Sequence, residues 1–259
     1  MKAIKVNLPR ELKTAEIHIF ADLHIGDVHC DLMGITERVE AVRKNPNAYC
    51  ILNGDIINNA TKTSVSDCYA EKLSPMEQIS RFIEVFEPIK DRIIAITSGN
   101  HENRTYNKEG VDITYLCARQ LGIEERYSKT GAIIFLRVGD KPIKTHPNQQ
   151  ICYTIYCNHG SGGGRKEGAK VIRMADMANI IDADIYIHSH THLPVIMKEA
   201  YYRTDQHNST YQIVDKLFVN TSAMLNYGGY GEAYEFKPNS KECPVIYISG
   251  TKKEFKAKL

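Results

Sequence analysis

Short apolar runs that each break off into a polar, turn-forming motif constrain this chain more than any other feature. Residues 16–21 (EIHIFA) run into Asp22-Leu23-His24, residues 48–52 into Gly54-Asp55, and residues 92–97 (RIIAIT) into Gly99-Asn100-His101-Glu102. Ile151–Cys157 leads to Asn158-His159-Gly160, and residues 184–187 lead to His188-Ser189-His190-Thr191-His192. Apolar runs of this length, bounded by turn residues, read as buried strands.

Between them lie helix-like segments. Leu32–Lys44 is one. A second starts at Ser74-Pro75, with Ser as N-cap and Pro at the first helical position, and sets Ile79, Phe82, Ile83 and Phe86 on one face. A third, 111–121, stops at Gly122 as a C′ glycine, and a fourth covers 169–180. Strands alternating with helices predict parallel βαβ units with helices outside. Ala132–Val138 adds a strand, and beyond His192 the pattern turns to strands at 195–200, 212–220 and Val245–Ser249, a second sheet packed on the first. The expected class is α/β: a two-sheet sandwich flanked by helices, one domain over residues 1–259.

A chain of 259 residues with 42% hydrophobic and 25% charged side chains can build such a core. Its net charge of +2 argues neither for nor against a polyanionic partner. The seven cysteines are odd in number and never spaced Cys-x-x-Cys, which predicts reduced thiols in a cytoplasmic protein and argues against a zinc-thiolate site. No apolar run approaches the ~20 residues a bilayer requires, so no membrane association is expected.

In a βαβ sheet, ligands gather at the carboxyl ends of strands. All five motifs fall at such ends, and nearly every member is a metal-ligand type: hard oxygen from Asp and Asn, borderline nitrogen from His, no thiolate. That mixture suits Mn²⁺, Fe, Zn²⁺ or Co²⁺ better than Ca²⁺. Any one motif alone is more often structural; five in order are not a coincidence. The glycine run Gly160–Gly164, with Arg165 and Lys166 behind it, has the makings of an anion site. The polar loop 56–74 reads as a lid or a surface loop.

These motifs resemble those of the calcineurin-like metallophosphoesterase superfamily over residues 22–192. The resemblance implies a two-sheet sandwich and a pair of divalent ions, with manganese expected. Asp22, His24, Asp55 and His192 would hold one ion, and Asp55 would bridge to a second held by Asn100, His159 and His190. A metal-activated hydroxide would attack a phosphate ester, and two ions ~3.5–4 Å apart clamp attacking and leaving oxygens in such reactions. His101 would be the catalytic acid to the leaving alkoxide, a role suited to a group titrating near pH 6.5. Arg165, Arg104 and Asn58 are the substrate-contact candidates.

Departures from subfamily patterns narrow the field. The protein phosphatases of the superfamily carry Asp where this chain has Asn58, and Arg where it has Asn103. The lipid-precursor pyrophosphatases carry Arg where His101 stands. The motifs most resemble the phosphodiesterase and DNA-repair nuclease side, and also compact phage- and prophage-type members. Ser189 replaces the usual Gly before His190, a change expected to be tolerated where φ is negative. The leading expectation is a phosphodiesterase, with nucleotides or nucleic acid among its candidate substrates and the tyrosines of 226–234 able to line a groove. The alternatives are a phosphomonoesterase and an inactive binding scaffold, as in the superfamily's retromer subunit.

Overall fold

The computed structural model describes residues 1–64, 67–140 and 149–259. Among the described residues, twelve strands form two six-stranded sheets. In chain order they are β1 (Lys2–Asn7), β2 (Thr14–Phe20), β3 (Ala48–Asn53), β4 (Ile93–Thr97), β5 (Tyr127–Ser128), β6 (Ala132–Val138), β7 (Ile151–Cys157), β8 (Ile185–His188), β9 (Val195–Asp205), β10 (Thr210–Asn220), β11 (Val245–Ser249) and β12 (Phe255–Lys258). One sheet has the order β1-β6-β7-β8-β10-β9, the other β12-β11-β2-β3-β4-β5. The expected α/β sandwich is the observed one.

The alternation of side chains along each strand builds three apolar layers. Ile17, Ile19 and Ile51 of one sheet meet Ile134, Leu136, Tyr153 and Ile155 of the other in the central layer. The opposite face of the second sheet presents Phe20, Cys50, Leu52 and Ile96 to three helices: α1 (Leu32–Lys44), α2 (Pro75–Phe86) and α4 (Ile113–Gln120). Tyr156, Tyr186 and Phe218 of the first sheet pack on Met174 of α5 (Glu167–Ala175) and on Met177 just after it. The remaining long helix, α3 (Asn100–Glu109), belongs to the third motif.

Several local expectations hold at residue level. Glu77 accepts the Ser74 backbone N–H at 2.8 Å and its hydroxyl at 2.7 Å, closing the first turn of α2. Gly122 takes φ +70° just past α4, and the Ile123 N–H reaches back to the Ala118 carbonyl at 2.8 Å. The helix expected over 169–180 is shorter: α5 ends at Ala175 and a 3-10 turn, Asp176–Asn179, follows. The loop 56–74 is less superficial than expected, because residues 56–60 are buried; its residues 65 and 66 lie outside the described residues. β9 and β10 are longer than expected, a ribbon whose far half leaves Tyr202, Tyr211 and Ile213 exposed.

Strand direction places the site. β2, β3 and β4 run parallel in one sheet, and β7, β8 and β10 run parallel in the other. The chain leaves each at its carboxyl end and enters a motif at once: Asp22, Asp55, Asn100, His159, His190 and, after β10, Thr221.

Candidate metal centre

Backbone geometry at the strand ends is unusual. Asp22, His24, Asp55, Asn59, His190 and His192 all have φ between 45° and 67°. Left-handed backbone costs a non-glycine residue roughly 1–3 kcal/mol, and Asp, Asn and His bear it best. Two glycines permit the crowding. A Cβ on Gly54 would lie 2.7 Å from the Gly99 nitrogen, and one on Gly99 would lie 2.1 Å from Asp55 Oδ1. Ser189 is not among the residues with positive φ, which satisfies the condition set for it by the sequence.

These turns bring the expected ligands together in overlapping clusters. Asp22, His24 and His192 form one; Asp55, His159 and His190 form another; His24, Asp55 and His101 form a third. Within each, one ligand atom per residue lies within 4.8 Å of the others. His192 Nε2 is 3.2 Å from Asp22 Oδ1, and His159 Nε2 is 3.2 Å from Asp55 Oδ2. Asn100, at the start of α3, brings its Oδ1 to 3.2 Å from His159 Nε2.

The electrostatics follow from burial. Asp22, His24, Asp55 and His159 are all buried. Burial drives the His24 pKa well below its ordinary value, helped by nearby His101, so the ring is neutral with a lone pair to offer. His190 is lowered to about 4, by burial first and His159 second. Burial acts on His159 in the same sense, but Asp55 and Asp22 outweigh it and raise its pKa to about 10. Burial alone would raise Asp55; His159 and His101 hold it well below the usual carboxylate range instead.

The residues fit a cation. Asp22 Oδ1 and both ring nitrogens of His24 are buried without a hydrogen-bond partner among the described residues. A buried polar group left unpaired costs ~1–3 kcal/mol. Three such atoms facing carboxylates and imidazoles are what a divalent ion satisfies, and the nitrogen–oxygen donor set without thiolate suits manganese, iron, zinc or cobalt better than calcium.

A second ring of residues fixes the ligands, and most of it was not picked out in the sequence. The Glu102 carboxylate accepts three backbone N–H groups: Gly99 at 2.8 Å, Asp55 at 3.1 Å and Ile57 at 3.1 Å. It thus ties the second motif to the third. Burial and the neighbouring Asp55 raise its pKa to about 7. His159 Nδ1 donates to the Asn53 carbonyl at 2.8 Å, which leaves Nε2 facing the cluster. Asn220 accepts from His188 Nδ1 at 2.7 Å and donates to Thr191 Oγ1 at 2.9 Å. The signal available for Asn53 and Asn220 was the one that found the ligands, a polar residue closing an apolar run.

The remaining candidates separate. His101 donates from Nδ1 to the Asn58 carbonyl at 2.6 Å, and its Nε2 accepts from Arg104 at 3.0 Å while lying 3.7 Å from Asp55. The Asn58 side chain points away from His101, toward Asp27 and Glu71, so the residue serves the site through its backbone. Arg165 is exposed and donates to the Tyr234 carbonyl at 3.1 Å with Phe236 beneath it. Arg173, not Arg165, packs on the glycine run, donating to the Ser161 carbonyl at 2.9 Å. Beside Asn100 and His159 opens a cavity of about 380 Å³, walled by Asn103, Asn107, Lys129 and Asn158. Tyr227 and Tyr234 are not in its wall, and the side chain of Tyr230 lies outside those described.

Two solved structures resemble the chain over nearly its whole length. One is a conserved uncharacterized protein of Streptococcus pneumoniae TIGR4 described as a predicted phosphoesterase: 12% identity, 95% of this chain and 88% of the other covered, TM-score 0.40. The other is Vps29 of Entamoeba histolytica complexed with zinc: 9% identity, 94% and 97% covered, TM-score 0.36. Among curated proteins none matches. The sequence model of the calcineurin-like phosphoesterases matches residues 23–194, and the chain belongs to that family.

Proposed function

We propose that the protein is a dinuclear metal-dependent phosphodiesterase. The observation that carries the reading is Asp55. This carboxylate belongs to two of the ligand clusters, next to three buried polar atoms that have no partner of their own. In this reading Asp22, His24, Asp55 and His192 hold one ion, and Asp55, Asn100, His159 and His190 hold the other. When bound, the ions supply Lewis-acid polarisation of the phosphoryl oxygens and an activated water nucleophile, and manganese, iron, zinc and cobalt all match the donor set.

The chain's own groups do the rest. The Asn58 carbonyl holds His101 by Nδ1, which aims Nε2 into the site; that nitrogen, once protonated with its Arg104 contact given up to the substrate, is the atom that hands a proton to the leaving alkoxide. Arg104, one turn along α3, keeps a positive charge beside that nitrogen, where it can neutralise a phosphoryl oxygen. The Glu102 brace holds Asp55 and the start of α3 in one geometry, which is the preorganisation such a site needs. A diester carries a second substituent that must be housed, and the cavity beside Asn100 and His159 supports the diesterase over the monoesterase. The seven free cysteines support a cytoplasmic location as part of the same reading.

The test is metal add-back to chelator-treated protein, with bis-nitrophenyl phosphate and mononitrophenyl phosphate side by side. Manganese-dependent diester turnover that collapses in His101→Ala is the expected result. Preference for the monoester would make the protein a phosphomonoesterase. Bound metal with no turnover of either ester would favour a scaffold.

A further inference from the structure

The cavity beside the metal cluster has a composition that says what enters it. Asn100, Asn103 and Asn107 stand at i, i+3 and i+7 of α3, so one face of that helix offers the cavity a file of amides. Asn158 adds another amide from the loop after β7, and no acidic side chain lines the space. Apart from His159, whose charge is paired with Asp55, Lys129 is the one cation in the wall. Its ammonium sits 2.9 Å from the centre of the Tyr106 ring, and among the described residues no carboxylate pairs with it. A half-buried lysine propped on an aromatic face, with neutral amides around it, is a compact positive charge available to an anion. The volume, about 380 Å³, falls at the lower end of the ~300–1,000 Å³ typical of pockets for organic ligands.

Resting on the phosphodiesterase reading above, we infer that the substrate is a nucleotide-type phosphodiester carrying a second phosphate, which Lys129 binds while the cavity amides hydrogen-bond the sugar or base between the two. The scissile phosphate lies at the metal cluster and the second one at Lys129. Amide side chains pair their donor and acceptor with base edges, and a hydroxylated sugar uses the same groups. Lys129 is then a specificity residue with no part in the bond-breaking step.

Two thymidine esters test this: the 5′-(p-nitrophenyl phosphate) with a free 3′-hydroxyl, and the same ester with a 3′-phosphate. The expected result is a higher kcat/KM for the 3′-phosphorylated ester by about fivefold, the upper range for a partly exposed ion pair. That ratio falls toward one in Lys129→Gln and is kept in Lys129→Arg. Calorimetric binding of thymidine 3′,5′-bisphosphate against thymidine 5′-monophosphate gives the same ratio without turnover. A ratio near one in the wild type, or a ratio unmoved by Lys129→Gln, overturns the inference while leaving the phosphodiesterase reading intact. Loss of turnover for every ester, with the bisphosphate still preferred and the preference still lost in Lys129→Gln, upholds the phosphate site and overturns the enzymatic reading. A ten-residue oligothymidylate that competes better than the bisphosphate places the second phosphate on a polynucleotide; equal competition places it on a small nucleotide, and both uphold the inference.

Discussion

The two halves of the metal centre are built differently. Around Asp55, His159 and Asn100 the ligands already bond to protein: His159 has Asn53 at one nitrogen and Asp55 and Asn100 at the other. Around Asp22 and His24 the bonding is incomplete: Asp22 Oδ2 accepts the His190 N–H at 3.1 Å and Oδ1 faces His192 Nε2 at 3.2 Å, but both His24 nitrogens lie buried without a hydrogen-bond partner among the described residues. The Asp55 half is therefore held together by the protein itself. The His24 half carries unsatisfied polar atoms that a cation has to complete.

The largest break in this comparison is Asp55→Asn, which weakens the one carboxylate both halves use. Hydrolysis is expected to fall by on the order of a thousandfold or more, read by kcat/KM on the diester, with bound metal lost by elemental analysis. Next comes His159→Ala against His24→Leu, melted in chelator. His159→Ala removes the nearest charge partner of the buried Asp55, leaving it only the weaker contacts with His101, and is expected to cost about 3–5 kcal/mol. His24→Leu removes groups that had no partner but sets a leucine at φ 47°, and is expected to cost about 1–3 kcal/mol, less than His159→Ala. Equal losses in the two variants would erase the contrast between the halves.

Manganese sharpens the same contrast. At a hundred times its Kd, an ion bound only by the folded state adds about 2.7 kcal/mol, or roughly 5–10 °C in Tm for a chain of this size. His24→Leu should lose most of that rise while its metal-free Tm falls less than that of His159→Ala. A smaller effect is expected from Glu102→Gln, which keeps one carbonyl oxygen but turns an amide N–H toward a backbone N–H. A stability loss of about 1–3 kcal/mol and a tenfold fall in activity are expected, by denaturant melt and kcat/KM. Smallest is Arg165→Ala, whose guanidinium rests on Tyr234 and Phe236. Less than a twofold change in kcat/KM is expected, and a larger one would bring this arginine back to the substrate.

What the sequence showed follows from where apolar periodicity is strong. β6, β7 and β11 alternate or run apolar over their whole length, and their limits were readable to the residue. β1 and β12 were not, because KAIKVN and FKAK bury one side chain each and carry lysines along an outer edge. α3 was hidden for a related reason. NHENRTYNKE has no apolar face, and its only buried side chain is Glu102, which caps the helix instead of packing it. The ligands were legible because their chemistry is rare at strand ends. The way their supports act was not: the carbonyls of Asn58 and Asn53 hold His101 and His159, and a backbone carbonyl is a group any residue type possesses. Arg104 could be flagged by its place after the third motif, but its contact with His101 Nε2 exists only once α3 winds that turn.

The left-handed strand ends also bear on which amino acids these positions can exchange. Six non-glycine residues of the site adopt positive φ, and all six are Asp, Asn or His. Those three types combine a coordinating head with tolerance for that backbone, whereas glutamate offers the head without the tolerance and glycine the tolerance without the head. Mutational drift at the site is thus filtered twice, once by coordination chemistry and once by chain conformation. An Asp-to-Glu exchange, ordinarily among the mildest, fails the second filter even where the longer arm could still reach the ion.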